Sequence, residues 1–315
     1  MPAPRTLLIW SVRALGAMGV MWAGGTVTVA YAVAHSPNGS TASAGNDPCP
    51  SELSSHGRAE AENFTVGSRP TAISTWRVEP ETAARGTIVL LHGVRLDKHS
   101  MLPAARAFLD AGYRVLLLDL RGHGRSGGGY LTYGVDDAGD VTGVLDALES
   151  RGVTLGPVGV HGFSYGAATA LELAASDPRV RAVVAVASFA SLRGVARDYV
   201  RWQLPAFEPA VPDLWLDSAV DLGALWAGFD ADAAAPAHAA ARTQVPVLIV
   251  HGSDDPQVSA DNARAIARSA PGRAKLLLLP GETHASVLAD GRGEIRKAST
   301  RWFDDHLFRF RPGQN

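Results

Sequence analysis

The stretch Val158-Gly159-Val160-His161-Gly162-Phe163-Ser164-Tyr165-Gly166-Ala167-Ala168 decides how the rest of the chain is read. Its first half is a short apolar run suited to a strand buried on both faces, and from Tyr165 onward it turns into a stretch of helix formers. Between the two stands G-x-S-x-G, with Gly162, Ser164 and Gly166. A strand that passes straight into a helix must reverse sharply, which leaves the serine hydroxyl clear above the sheet edge. Side chains at 162 and 166 would collide in that turn; glycine at both removes the clash and tolerates a strained backbone. The amide of Tyr165 then sits at a helix N-terminus, among donors with no partner inside the helix, where negative charge can settle. A glycine-rich structural turn is the bland alternative, and the strand-to-helix setting favours an activated nucleophile at Ser164.

Outward from this turn, apolar runs alternate with longer amphipathic stretches, as expected for parallel strands joined by helices. The runs are Thr87 to Leu91, Arg114 to Asp119, Val158 to His161, Val180 to Ala187, Pro246 to His251 and Ala274 to Leu279. Helices are expected over 100–111, 136–151, 165–176, 259–269 and 294–307, with edge strands near Phe64 and over Ile73 to Val78. The fold class is therefore α/β, a mostly parallel central sheet with helices on both faces. Residues 191–245 break the alternation with Trp202, Trp215, Trp226, Phe207 and Phe229 and read as a small cap insertion whose aromatics pack as its own core.

A serine hydroxyl needs a base and a group that orients the base. Gly252-Ser253-Asp254-Asp255-Pro256 follows one late strand and Pro280-Gly281-Glu282-Thr283-His284 follows the next. An acid and a histidine thus come to the same carboxyl edge of the sheet as Ser164, in the chain order Ser, Asp, His. Either Asp254 or Asp255 could serve as the acid. Gly122-His-Gly124-Arg-Ser-Gly127 has the spacing of a dinucleotide fingerprint, but that motif needs its third glycine to open a helix, and Gly128-Gly129-Tyr130 continues as loop.

With these pieces in hand, the chain resembles the α/β-hydrolase superfamily, in particular its serine esterase and serine-aminopeptidase-like branch. The resemblance spans roughly residues 61 to 310 and rests on Leu91-His92-Gly93, Asp119-Leu-Arg-Gly-His-Gly-Arg-Ser-Gly127, Gly162 to Gly166, His251-Gly-Ser-Asp-Asp255 and Gly281-Glu-Thr-His284. It implies Ser164, Asp255 and His284 as the catalytic residues, because the family pattern places the acid four residues after the histidine of His251-Gly252. Relatives that carry the acid after the preceding strand would need one near Ser188 to Ser191, where this chain has none. The resemblance also implies an oxyanion hole from the amides of Val94 and Tyr165, turn-shaping roles for His92 and His251, and a buttress at Arg121. The expected activity is hydrolysis of an ester of a small-molecule or lipid-like compound, without metal or organic cofactor. A peptidase or amidase using the same residues, and an inactive binding protein of the same fold, are the alternatives; a haloalkane- or epoxide-type hydrolase would need a carboxylate where Ser164 stands.

Composition sets the surroundings. An apolar fraction of 46% supports a sizeable core, and a net charge of −2 gives no basic excess to suggest a nucleic-acid partner. The single cysteine, Cys49, precludes an internal disulfide and reads as structurally incidental. Ala14 through Ala34 carries no charge and follows Arg5 and Arg13. At about 1.5 Å per residue it would extend roughly 32 Å, enough to cross a bilayer. Residues 1–34 are therefore expected to be a membrane anchor or a signal peptide, with Ala32-Val33-Ala34 as the cleavage pattern in the second case. Either reading puts the catalytic domain outside the cytoplasmic membrane, anchored or secreted. A flexible linker is expected over 35–60, the hydrolase core over 61–190 and 246–312, and the cap over 191–245.

Overall fold

The computed structural model describes residues 22–35, 47–206 and 208–308. Helix α1 covers residues 22–34 and a short α2 covers Ser51–Ser54; then follow β1 (Gly57–Val66), β2 (Thr71–Pro80), β3 (Thr87–Leu91), α3 (Leu102–Asp110) and β4 (Arg114–Leu118). The chain continues through α4 (Asp137–Ser150), β5 (Val158–Phe163), α5 (Tyr165–Ser176), β6 (Val180–Val186), α6 (Leu192–Gln203), α7 (Asp213–Ala227) and α8 (Pro236–Arg242). It closes with β7 (Val247–Gly252), α9 (Ala260–Ser269), β8 (Ala274–Leu279), α10 (His284–Ala289) and α11 (Glu294–His306).

The eight strands form one sheet in the order β1-β2-β4-β3-β5-β6-β7-β8, with β2 antiparallel to both of its neighbours and every other pair parallel. The central strands are mostly apolar because both faces are covered: Val89, Leu91 and Val160 pack under α4 and α5, whereas Ile88, Leu90 and Val184 face α3 and α11. Parallel strands share a direction, so the loops that leave β3, β5, β7 and β8 emerge at one edge.

Two expectations change here. The linker expected over 35–60 is shorter at its C-terminal end: Leu53 is fully buried, Trp76 Nε1 donates to the Asp47 carbonyl at 2.8 Å, and Gly57 already pairs with Pro80. Residues 36–46 lie outside the described residues. The insertion's aromatics do not form its core. Its buried residues include Leu192, Val195, Leu216, Ala219, Val220 and Ala224, whereas Trp215 and Phe229 are half-buried at its margin and Trp202 and Trp226 are exposed. Phe207 lies outside the described residues.

Among the described residues no helix is long and apolar enough to cross a membrane. Of the apolar stretch 14–34, residues 14–21 lie outside the described residues and 22–34 form α1, which lies against α7. Cys49 is half-buried near Lys98 and Asp47, and burial pushes its thiol up to about 11.

Candidate active site

Ser164 stands between β5 and α5 at φ 52° and ψ −112°, a left-handed backbone that a side-chain-bearing residue adopts only when its surroundings hold it there. Its amide is fixed by the Val186 carbonyl at 2.7 Å. A Cβ at position 162 would lie 2.2 Å from the Gly166 carbonyl oxygen, and one at 166 would lie 2.3 Å from that of Leu91. The two glycines are thus required by contact with backbone, which cannot give way.

His284 is the first residue of α10, whose start is held by Thr283 and Ser286, each side chain taking the other's backbone amide. Its Nε2 lies 3.0 Å from Ser164 Oγ and its Nδ1 lies 2.6 Å from Asp255 Oδ2. The other carboxylate oxygen of Asp255 accepts the amides of Gln257 and Val258, both at 2.9 Å. Burial works to raise the Asp255 pKa, but His284 and the two amides outweigh it and hold the group below the ordinary carboxylate value. A carboxylate can only accept, so Nδ1 carries the proton and Nε2 is left to accept from the serine. Asp254 bonds Ser253 Oγ instead and takes no part in this row.

Val94 and Tyr165 come to the same place. Among the described residues neither amide donates to any protein acceptor, and Tyr165 opens α5, where the first amides have no partner within the helix. The phenol of Tyr165 is buried, accepts the amides of Thr132 and Tyr133 at 3.0 Å each, and donates to Asp137 at 2.9 Å. Burial and Asp137 raise it well above its ordinary pKa, so it keeps its proton.

His92 and His251 are brackets. His92 Nδ1–H donates to the Gly93 carbonyl at 2.8 Å while Nε2 accepts the Leu120 amide at 2.9 Å, and burial drives its pKa down to about 3. His92 thereby stays neutral and ties the Gly93-Val94 turn to the loop after β4. His251 donates through Nε2 to the Val258 carbonyl at 2.9 Å and bears on the back of the Asp255 loop; burial lowers its pKa too. Arg121 grips Asp140 through two nitrogens and donates to Thr71, as expected of a buttress. After Gly127 the chain stays in loop until α4, so the Gly122–Gly127 segment opens no helix.

The serine faces a cavity of about 480 Å³, within the roughly 300–1,000 Å³ of small-molecule sites. Its floor includes Val94, Ser164 and Tyr165, and its roof includes Val195, Tyr199 and Leu216 from α6 and α7. Sequence reasoning missed several supporting residues. Asp198 on α6 accepts the Ser259 amide and Asn262 Nδ2, joining the roof to the loop that carries Asp255. Arg95, at φ 61°, and Tyr133, at φ 53°, line the cavity as well. No local pattern marks them, since their roles depend on contacts between distant segments.

A doubly covered, mostly parallel sheet with a serine, a histidine and an acid at its carboxyl edge defines a hydrolase architecture. The family model described as "Alpha/beta hydrolase family" matches residues 88–298, and the chain belongs to that family. It is 28% identical over 225 residues to the uncharacterized protein YqkD of Bacillus subtilis, covering 70% of this chain and 71% of that one. It is 29% identical over 278 residues to a monoacylglycerol lipase of Mycolicibacterium smegmatis, covering 79% of this chain and 98% of the lipase. The Pyrococcus furiosus esterase Pf2001 superposes with a TM-score of 0.67 at 20% identity, over 85% of this chain and 99% of the esterase, which is a likeness of fold. These relatives support hydrolase activity.

Proposed function

We propose that the protein is a serine hydrolase of carboxylic esters. The observation that carries this reading is the continuous row Ser164–His284–Asp255, at 3.0 and 2.6 Å, beside two unpartnered amides on an apolar cavity. In this mechanism His284 Nε2 takes the Ser164 proton as Oγ attacks the ester carbonyl, and the carbonyl oxygen becomes an oxyanion held by the Val94 and Tyr165 amides. Asp255 stabilises the imidazolium and keeps its orientation. His284 then protonates the departing alkoxide, leaving an acyl-serine; water, deprotonated by the same histidine, releases the acid. One oxyanion donor contributes about 3 kcal/mol to such a step.

An apolar cavity suits an uncharged acyl group, and an alkoxide leaves more readily than an amine, which together favour esters over amides. A fluorophosphonate probe tests the core of the proposal: the full-length protein should be labelled and the Ser164→Ala variant should not. Equal labelling of the two would remove Ser164 from the chemistry, and faster cleavage of aminoacyl anilides than of matched esters would move the activity to amides.

A further inference from the structure

We infer that helix α1, the segment that reads from sequence as an anchor or a removable signal, is a permanent wall of the substrate cavity and sets the length of acyl chain it accepts. The inference rests on the ester-hydrolase reading for its substrate class. Val29, Ala32 and Val33 line the same cavity as Ser164. Val29 and Val33 are one helical turn apart on one face of α1, and Val33 is buried with Phe189, Leu192 and Val195 in the apolar cluster of the roof.

The helix is seated rather than laid on the surface. The last carbonyls of a helix have no acceptor role inside it and must find donors elsewhere. Here the Val33 carbonyl accepts Tyr133 Oη at 2.9 Å and the Ala34 carbonyl accepts the Leu131 amide at 2.8 Å, both from the loop before α4. The Tyr133 ring lies 5.5 Å from that of Tyr165, and the Tyr133 amide donates to the Tyr165 phenol. On the other side, Gly223 of α7 allows close approach: a Cβ there would lie 2.8 Å from the Ala30 carbonyl oxygen and 3.0 Å from Val33. Trp215 of α7 meets Trp22 edge to face at 5.4 Å, and Ala30 and Ala34 are 0% exposed.

Cleavage after Ala34 would cut a bond inside this seam. It would strip Val29 and Val33 from the cavity and leave the Leu131 amide and the Tyr133 hydroxyl without their acceptors. The active protein therefore keeps α1, and an acyl chain extending past Ser164 meets it.

Val29→Trp and Ala32→Trp fill the cavity from this wall, and Ala32 is exposed enough for its variant to fold. With p-nitrophenyl esters from acetate to dodecanoate, the ratio of kcat/KM on the longest esters to kcat/KM on acetate should fall at least tenfold in each variant relative to wild type. An unchanged chain-length profile, or an equal loss at every length, would overturn the inference. So would an intact mass showing that active protein begins at His35 with its long-chain activity retained. Binding of a fluorescent long-chain fatty acid to the Ser164→Ala protein separates the two readings. If wild type hydrolyses no ester, the proposed reaction falls, yet adding Val29→Trp should still weaken that binding about tenfold; equal binding overturns the wall.

Discussion

At the strand ends beneath the cavity, Lys98 is 0% exposed and its ammonium sits 2.6 Å from Asp119 and 2.6 Å from Asp47, over the face of Trp76. In the roof, Arg193 reaches Asp217, Asp221 and Asp232, whose side chains are 43%, 57% and 72% exposed. The floor fixes its charges away from water and builds them into the loops that hold the reacting groups; the roof keeps its charges in solvent and packs against the floor through small apolar residues. In the proposed reaction the catalytic positions are thus locked by buried polar bonds, while the roof over the cavity rests on solvent-facing charges and small apolar contacts.

The largest test of this contrast lies in the floor. Asp255→Asn should lower kcat on the order of 10⁴-fold with little change in KM, as expected when the tautomer of His284 is no longer held. Asp254→Asn, outside the hydrogen-bonded row, should stay within about twofold in the same ester assay; a larger loss at 254 would reassign the acid. Lys98→Met leaves Asp119 buried without its cation and should cost about 3–5 kcal/mol in urea denaturation.

Acid should weaken the floor as well. Burial lowers the pKa of His92 to about 3 and of His161 to about 4, and moves His123 and His251 in the same direction. Unfolded, these rings titrate near 6.5, so below that pH the unfolded chain binds more protons than the folded one and stability falls as pH falls. The slope is up to about 1.4 kcal/mol per pH unit for each histidine. Asp255, depressed in the folded protein, adds a loss of the same sign at lower pH. Asp140 and Glu172, raised by burial to about 7, oppose this over the same window, so four rings act against two carboxyls: thermal melts should decline on balance from pH 6.5 to 4.5, and a rise would contradict the buried neutral rings.

Effects in the roof should be smaller. Gly223→Ala pushes a methyl against the Ala30 carbonyl and should destabilise by about 1–3 kcal/mol, whereas Gly139→Ala, on α4 with nothing within 4 Å, should be neutral or stabilising by about 0.5–1 kcal/mol. Arg193→Ala should change stability by less than about 1 kcal/mol, since exposed ion pairs are screened and entropically loose. A loss of several kcal/mol there would erase the distinction between the two regions.

How legible each region is in sequence follows the same division. The turn at Ser164 announces itself because only glycine fits at 162 and 166, and Asp255 and His284 follow apolar runs long enough to be read as strands. The expected helices at 136–151 and 165–176 match α4 and α5 to within a residue. His284 follows its strand in a stretch with no readable helical period, yet it opens α10, a helix of six residues whose start depends on a threonine–serine exchange too short to register as a period. The roof is much less legible. Hydrophobicity ranks Trp202 and Trp226 as core, yet small residues at Ala219, Gly223 and Ala224 decide what is buried, because helix spacing there is set by backbone approach. Likewise, an uncharged run such as 14–34 reports a preference for leaving water without saying whether lipid or protein receives it.

Cys49 offers a practical return. With its thiol raised to about 11 and no second cysteine in the chain, it carries almost no thiolate near neutral pH, where maleimides react through the thiolate. The wild-type protein should consequently react slowly with thiol dyes, which a timed maleimide labelling checks. A cysteine placed at an exposed roof position such as Leu214 or Leu225 would take up a fluorophore almost alone, so that the approach of a lipid surface or the movement of α7 could be followed without first removing a native residue.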